Sequence, residues 1–248
     1  MLLDLVSSTL ASSARFWQGT AASRTTRQPE LTIALYDREG CSNCRLVREA
    51  LTALNLNVLI MPCPKGGKRF ADKLAGHQPP LLIDLNTETT LTGPERIIEY
   101  LYAEYLDEKP PLPVRVTPLN HISSTLASTL RLNAGTRCRP SQAPEQPLTL
   151  YSFESSPYSR PVRERLCELE IPYHLINLGK QQIADLGPAK CHFSLGAYKP
   201  LPNTKRSQFF DEHGNVQVPY LVDPNTDTEM FESREIIAYL NNTYAIRR

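Results

Sequence analysis

Two cysteines three residues apart, Cys41 and Cys44, have the spacing best suited to chemistry; they lie in the stretch GCSNCRLVRE. Apolar residues at helical spacing follow them, so we expect Cys41 at a helix N-terminus, where unpaired N–H groups and the helix dipole favour a thiolate. Arg45 and Arg48 add positive charge one turn on, unless Arg48 faces solvent. Cys44 has the spacing of a resolving thiol. The stretch thus has the residue types of a redox-active dithiol.

A CxxC pair is also compatible with a metal site or with two thiols that have no chemical role. A structural zinc ion needs about four ligands, and one CxxC supplies two of them. The other candidate ligands occur singly, without a second pair: Cys63, His77, His121 and Cys138. This pattern favours redox chemistry over a metal site, and an incidental pair of thiols stays open as an alternative.

The composition describes an ordinary soluble, globular chain. Of 248 residues, 41% are hydrophobic and 21% are charged, which argues against disorder. The net charge of +1 offers no electrostatic reason to expect nucleic acid or an anionic membrane as a partner. There is no apolar run long enough for a transmembrane helix. Six irregularly spaced cysteines suit a reducing compartment, so a cytoplasmic location is expected.

The chain contains an internal repeat, which indicates two copies of one structural unit. The matching pairs are VSSTLASSAR (6–15) with ISSTLASTLR (122–131), VREAL (47–51) with VRERL (162–166), LIDLNT (82–87) with LVDPNT (221–226), and IIEYL (97–101) with IIAYL (236–240). The offset grows from 115 residues in the second pair to 139 in the last two. The second copy therefore carries 24 extra residues between Asn177 and Val218, which we interpret as a long crossover loop.

The first 28 residues allow two interpretations. They are rich in Ser, Thr, Ala and Arg and contain a single acid, Asp4, as organelle transit peptides do. Their repeat partner lies in the middle of the chain, however, where no targeting peptide can act. The repeat therefore favours a short amphipathic helix leading into each unit, followed by an exposed tether.

The hydrophobic periodicity predicts the order β-α-β-α-β-β-α in each copy, with a helix or an irregular crossover between the second and third strands. This is an α/β fold of two tandem units. The helical connection between the first two strands implies that they are parallel, and a tight Asn-Thr turn implies an antiparallel hairpin. The predicted boundaries are a helix and tether at 1–30, a first unit at 31–110, a second helix and linker at 111–146, and a second unit at 147–248.

This element order, with a CxxC after the first strand and a proline opening the third, resembles the thioredoxin fold. Its nearest branch is that of glutaredoxins and glutathione transferase N-terminal domains, on the stretches GCSNCRLVRE with PPLLID and SSPYSRPVRE with VPYLVDPNTDTEMFESREII. The resemblance implies glutathione as ligand or cosubstrate, no metal, and disulfide-containing or glutathionylated substrates. The all-helical second domain of a full transferase has no counterpart in the predicted elements.

The resemblance implies a glutathione-linked thiol–disulfide oxidoreductase or a transferase-like protein. In that chemistry Cys41 attacks a disulfide or glutathione adduct and Cys44 releases it. Ser42-Asn43 replaces the Pro-aromatic pair usual in glutaredoxins, which weakens the redox expectation. The alternative function is a non-catalytic module that binds glutathione or a protein partner.

In the second copy, Ser156 aligns with Cys41 and Ser159 with Cys44, in the stretch SPYS. Serine cannot form a disulfide, but a hydroxyl at this helix start can donate a hydrogen bond to a glutathione thiolate. Tyr158 belongs to the Pro-aromatic pair that the first copy lacks. The second copy is therefore expected to bind glutathione, with Ser156 and Tyr158 in the site.

The other expected contacts come from two further motifs of the second copy. By resemblance, Val218-Pro219 is a cis peptide that presents the backbone of Val218 to the ligand. Ser233 is expected to cap the next helix, whose N–H groups would hold the γ-glutamyl carboxylate, while Glu232 receives the ammonium group.

The first copy lacks these binding groups. Pro79 stands at the position of Val218 and has no N–H to offer, and Gly93 with Pro94 replaces the Glu-Ser pair. The sequence thus predicts reactive cysteines in one copy and the better glutathione site in the other.

Overall fold

We describe the protein from a computed structural model, covering residues 2–23, 26–187 and 197–246. Residues 188–196 of the expected crossover loop lie outside the described residues. No helix in the described part of the chain is long and apolar enough to cross a membrane.

The described residues form eight strands and seven α-helices. The strands are β1 (Ile33–Asp37), β2 (Val58–Pro62), β3 (Leu81–Asp84), β4 (Thr89–Thr92), β5 (Leu148–Ser152), β6 (Tyr173–Asn177), β7 (Tyr220–Asp223) and β8 (Thr228–Phe231). The helices are α1 (Leu2–Ala14), α2 (Ser42–Ala53), α3 (Pro94–Leu106), α4 (Pro118–Leu130), α5 (Arg160–Glu168), α6 (Lys205–His213) and α7 (Ser233–Tyr244).

All eight strands belong to one sheet, in the order β4-β3-β1-β2-β6-β5-β7-β8. Within each half, the first two strands are parallel and the last two form an antiparallel hairpin, which confirms the predicted pairing. The halves meet where β2 and β6 pair antiparallel, with Leu59 opposite His174. The edge that each half would otherwise expose is thereby covered by the other.

The core lies between the sheet and the helices that follow its strands. Alternate residues of β2, β5 and β6 are buried, as are four of the five residues of β1. The apolar stripes of α2, α3, α5 and α7 pack onto these strands. In the first half α2 packs beside α3, and in the second α5 packs beside α7. One continuous cluster of buried side chains extends from Ile33 to Tyr244, so the two halves share a hydrophobic core.

The crossover before the third strand of each half differs between the copies. In the first half it contains only a three-residue 3-10 turn, Asp72–Leu74, in a segment interrupted by Gly66, Gly67 and Gly76. This is the irregular crossover, one of the two forms predicted there, and it arises because glycine is a poor helix former. In the second half α6 forms, with a capping box at Thr204 and a left-handed C-cap at Gly214.

The two repeated serine-rich segments are helices, as predicted, but each packs on the other half of the chain. Helix α4 lies on α2, where Ser124 Oγ donates to the carbonyl of Ser42 over 2.9 Å. Helix α1 lies against α5, and Ser12 Oγ donates to the carbonyl of Ser155 over 2.7 Å. Each helix thus precedes one unit along the chain and packs its serine face on the other half.

A buried cluster of charges joins the halves beneath α1 and α4. Arg48 of α2 forms ion pairs with Asp37 over 2.7 Å and with Glu154 over 2.9 Å. Arg163 of α5 forms ion pairs with Glu154 and Glu39, both over 3.0 Å. The suggestion that Arg48 faces solvent is thus wrong, since its guanidinium is fully enclosed by carboxylates that satisfy its donors.

Candidate functional site

The first of two candidate sites lies at the N-terminus of α2. Cys41 is the N-cap residue of that helix and is partly exposed. Hydrogen bonding from the Cys44 thiol lowers the pKa of Cys41 to about 5, against the opposing effect of burial, with further contributions from the N–H groups of Cys44 and Asn43 and the charge of Arg38. The stabilising charge is that of Arg38, not of Arg45 and Arg48, because those two guanidinium groups face the buried carboxylates.

Cys44 is held in the opposite protonation state. Burial, together with the hydrogen bond to Cys41 and the charge on that thiolate, raises the pKa of Cys44 well above its usual value. At neutral pH the pair therefore consists of a thiolate near the surface and a thiol beneath it. This is the arrangement in which the outer sulfur attacks and the inner one donates a proton.

The surroundings of Cys41 leave little room and few polar groups for a ligand. The Pro79–Pro80 bond is cis, and Pro79 has no N–H. A Cβ atom on Gly40 would lie 2.1 Å from Thr136 Oγ1, so the chain after α4 packs directly against the residue before Cys41. At the start of α3, Gly93 is the N-cap and provides no side chain.

The second candidate site is a cavity of about 680 Å³ in the second half of the chain. Three motifs that are far apart in the sequence line its wall: the start of α5, the loop before β7 and the start of α7. The structure thus brings together all six residues that the sequence analysis assigned to glutathione: Ser156, Tyr158, Val218, Pro219, Glu232 and Ser233.

Ser156 lies just before α5 and is only 2% exposed. Its Oγ accepts hydrogen bonds from the N–H of Ser159 over 3.2 Å and from the Ser159 hydroxyl over 3.0 Å. Both acceptor positions of the oxygen are therefore occupied, and its own hydrogen is left for a group in the cavity. A hydroxyl arranged in this way stabilises an anion such as a thiolate.

The loop before β7 supplies backbone groups. The Val218–Pro219 bond is cis, as the resemblance implied. The N–H of Val218 has no hydrogen-bond partner among the described residues, and Val218 lines the cavity. The preceding residue, Gln217, donates from Nε2 to Glu232 Oε1 over 2.8 Å, which ties this loop to the start of α7.

The start of α7 differs from the sequence expectation in one respect. The N-cap is Glu232, with φ 68° and ψ 111°, and Ser233 is the first residue of the helix with no capping hydrogen bond from a side chain. The expectation that Ser233 caps α7 is thus wrong, because Glu232 takes the non-helical conformation. The first N–H groups of α7 keep their capacity to bind an anion.

Several cavity residues were not found from the sequence. Lys180 Nζ donates to the carbonyl of Gly187 over 2.9 Å, and burial lowers the pKa of Lys180 to about 8. Arg206 Nε of α6 lies 3.4 Å from Asp185 Oδ2, and both residues line the cavity. Both cations lie between Asn177 and Val218, where the second copy carries its 24 extra residues, so the repeat offered no signal for them.

The remaining described cysteines show no sign of reactivity. Burial raises the pKa of Cys63 to about 12 and that of Cys167 well above its usual value. Cys167 also accepts a hydrogen bond from the N–H of Glu39. Among the residues that the structure describes, no group of three or more His, Cys, Asp or Glu side chains is arranged to hold a metal ion.

A comparison with protein-family models now connects this geometry to a family. The model for the glutathione S-transferase N-terminal domain matches residues 35–110 and 150–248, most of the chain. The protein belongs to this family. Its thioredoxin-like fold and a general link to glutathione follow from that membership. A search of curated proteins and a search of solved structures returned no match.

Proposed function

We propose that the protein binds glutathione in the cavity between the starts of α5 and α7. The observation that carries this proposal is that six residues assigned to glutathione from sequence motifs line one cavity. In our assignment the Ser156 hydroxyl donates to the glutathione sulfur, and the backbone of Val218 pairs with the cysteinyl residue. Tyr158 and Pro219 form the walls beside them.

The two ends of the tripeptide would then meet groups of complementary charge. The N–H groups at the start of α7 hold the γ-glutamyl carboxylate near Ser233, and Glu232 receives the ammonium group. Lys180 and Arg206 supply positive charge for the other carboxylate, since both line the same cavity. A ligand with two carboxylates and one ammonium group suits this distribution of charge.

Isothermal titration calorimetry with glutathione tests the site directly. Glu232→Ala should weaken binding at least tenfold, because the ammonium group loses its only carboxylate partner in our assignment. Glu235→Ala is the matched control, since it removes an exposed carboxylate from the first turn of the same helix and should leave affinity unchanged. Equal affinity of wild type and Glu232→Ala would overturn the assignment.

A second function, thiol–disulfide exchange, is favoured by the low pKa of Cys41. The Cys41 thiolate attacks a disulfide, forming a mixed disulfide and releasing one thiolate. Cys44 then attacks Cys41 Sγ, its proton passing to the second leaving sulfur, so that an internal disulfide forms. Two glutathione molecules reduce that disulfide and leave as oxidised glutathione, which returns both thiols.

Glutathione-dependent reduction of a small disulfide checks this reaction. Wild type should exceed the uncatalysed rate, and Cys41→Ser should return to it. If both rates equal the background while glutathione still binds, the protein is a non-catalytic glutathione-binding module and the redox function is refuted.

We also propose that residues 31–110 and 147–248 are two tandem thioredoxin-like units within the single sheet. The repeated strand order of the two halves supports this division. A reducing compartment such as the cytoplasm fits the five described cysteines, all of which are free. Limited proteolysis checks the boundaries, with early cleavage expected in the linker at 111–146 rather than within either unit.

A further inference from the structure

A second cavity, of about 350 Å³, lies where the two halves of the chain meet the segment that follows α1. We call it the junction cavity. The first half contributes Asn55 and Asn57 from the loop between α2 and β2, the second half contributes residues 203–205 at the start of α6, and the N-terminal segment contributes Ser23 and Thr26. Among the described residues, none lines both this cavity and the one that we assign to glutathione. The junction cavity is therefore a separate place for a ligand.

The junction cavity contains a cation that has no anionic partner. Lys205 is the one charged residue among the described residues that line it. Its Nζ donates to the carbonyl of Asn55 over 2.5 Å and to Asn57 Oδ1 over 2.6 Å, so one of the three ammonium hydrogens remains. Burial lowers the pKa of Lys205 to about 7, with no carboxylate to oppose it. An anion in the cavity would stabilise the charged form of this lysine.

Two further polar atoms of the wall have no hydrogen-bond partner within the described part of the chain. They are Asn55 Oδ1 and Thr26 Oγ1. Asn55 is only 8% exposed, and its N–H donates to the carbonyl of Thr52 over 2.9 Å, which fixes the residue at the end of α2. An amide oxygen can only accept a hydrogen bond, so a ligand that satisfies Asn55 must carry a hydrogen on an oxygen or a nitrogen.

The start of α6 adds to the positive potential at the cavity. Thr204 is the N-cap, and its capping box uses the N–H groups of Thr204 and Ser207. The N–H of Lys205, the first residue of the helix, is not used by the capping box and has no partner inside the helix. Both Thr204 and Lys205 line the cavity, so the positive end of the helix dipole favours an anion there.

We propose that the junction cavity binds a small phosphate-type anion that carries a hydroxyl group. Lys205 and the start of α6 hold its charged oxygens, and Asn55 Oδ1 accepts from its hydroxyl. The two requirements select this class together, because an unpaired cation needs an anion and an unpaired acceptor needs a donor. The proposal is independent of the glutathione site, since the two cavities have different walls.

Isothermal titration calorimetry at pH 7 with inorganic phosphate and with sulfate tests the requirement for a donor. Phosphate keeps a hydrogen at this pH and sulfate does not, so sulfate leaves Asn55 Oδ1 without a partner. Phosphate should therefore bind at least about tenfold more tightly than sulfate. Glycerol 3-phosphate then identifies the source of the group: tighter binding than phosphate supports an ester as the ligand, and weaker binding supports the free ion.

Two substitutions test the assigned contacts separately. Lys205→Met removes the charge and should weaken phosphate binding at least about tenfold. Asn55→Gly removes the acceptor oxygen and should abolish the preference for phosphate over sulfate, while the backbone carbonyl remains for Lys205. Glycine suits this position because the φ of Asn55 is 52°. Lys199→Met is the matched control, since Lys199 is an exposed lysine that lines neither cavity, and it should change neither quantity.

Equal affinity for phosphate and sulfate in the wild type would overturn the proposal, as would phosphate binding that survives Lys205→Met. Competition between phosphate and glutathione would place the anion in the other cavity and overturn it as well. Thermal unfolding shows whether Lys205→Met folds. If that variant does not fold, Asn55→Gly decides, and an unchanged preference for phosphate in Asn55→Gly would refute the site.

Discussion

The starts of α2 and α5 carry a cysteine pair and a serine pair at equivalent positions of the repeat. In α5 the N–H and hydroxyl of Ser159 donate to Ser156 Oγ. In α2 hydrogen bonding from the thiol and the N–H of Cys44 lowers the pKa of Cys41 to about 5. Each helix start therefore surrounds the first residue of its pair with donors, and that residue is a sulfur of low pKa in α2 and a hydroxyl in α5.

The polar groups suited to a ligand lie around the start of α5 and are missing around the start of α2. The serine site is lined by Val218, Glu232 and Ser233, whereas Pro79, Gly93 and Pro94 occupy those positions beside the cysteines. The comparison teaches that the two halves separate two properties, since the sulfur of low pKa lies in one half and the polar groups that we assign to glutathione lie in the other.

The largest expected effect comes from breaking the link between the halves. Arg48 and Arg163 outweigh burial and lower the pKa of Glu154 to about 2. Glu154→Gln should reduce the free energy of unfolding by about 3–5 kcal/mol, because two buried guanidinium groups lose a charged partner. Urea-induced unfolding at neutral pH measures this loss. The difference from wild type should shrink as the pH falls towards 2, since protonation of Glu154 removes the same charge.

Glu104→Gln is the control for this substitution. Glu104 pairs with Arg27 at the surface, where the side chains are 32% and 66% exposed, so the loss should stay below about 1 kcal/mol. A loss of the same size for both variants would show that the buried cluster does not hold the halves together.

An intermediate effect is expected when the thiol pair is altered. Alkylation of Cys41 by iodoacetamide should follow pH with a midpoint near 5. Cys44→Ala removes the strongest hydrogen bond to the thiolate, so the midpoint should rise by about one unit and the rate at pH 5 should fall about fivefold. Mass spectrometry locates the modified residue.

Ser159→Ala removes the corresponding donor from the other half and should leave the alkylation profile of Cys41 unchanged. A wild-type midpoint near 8.5, the value of an ordinary thiol, would refute the assignment of Cys41 as a thiolate at neutral pH.

The smallest effect concerns the residues that precede α3 and α7. Glu232 has φ 68°, and Gly93 has φ 85° at the corresponding position. Glu232→Gly should raise the free energy of unfolding by about 1 kcal/mol, because glycine adopts positive φ without steric cost, while glutathione binding weakens. Thermal unfolding and calorimetry measure the two changes.

Gly93→Ala is the reciprocal substitution and should lower stability by about 1 kcal/mol without affecting glutathione binding. A Glu232→Gly variant that is less stable than wild type would show that the Glu232 side chain contributes more to folding than its backbone conformation costs.

Much of each half could be predicted from the sequence because its signals are local. Alternating apolar residues marked β1 and β5, helical spacing marked α2 and α5, and the turn before each hairpin set its pairing. The repeat allowed the two copies to be aligned, and in that alignment Ser156 corresponds to Cys41. Motifs at the starts of α5, β7 and α7 were sufficient to name six residues that share one cavity, since the family fold brings those three points together.

Only the tertiary structure decided how the halves combine. Arg48 and Glu154 are 106 positions apart, β2 and β6 pair at an edge with no distinctive pattern, and α1 packs on the half that follows much later in the chain. Contacts over such separations depend on which surfaces remain uncovered after each half has formed, and local spacing carries no information about that. The same physical reason explains why Trp17, in a serine-rich N-terminal segment, lines the cavity of the second half.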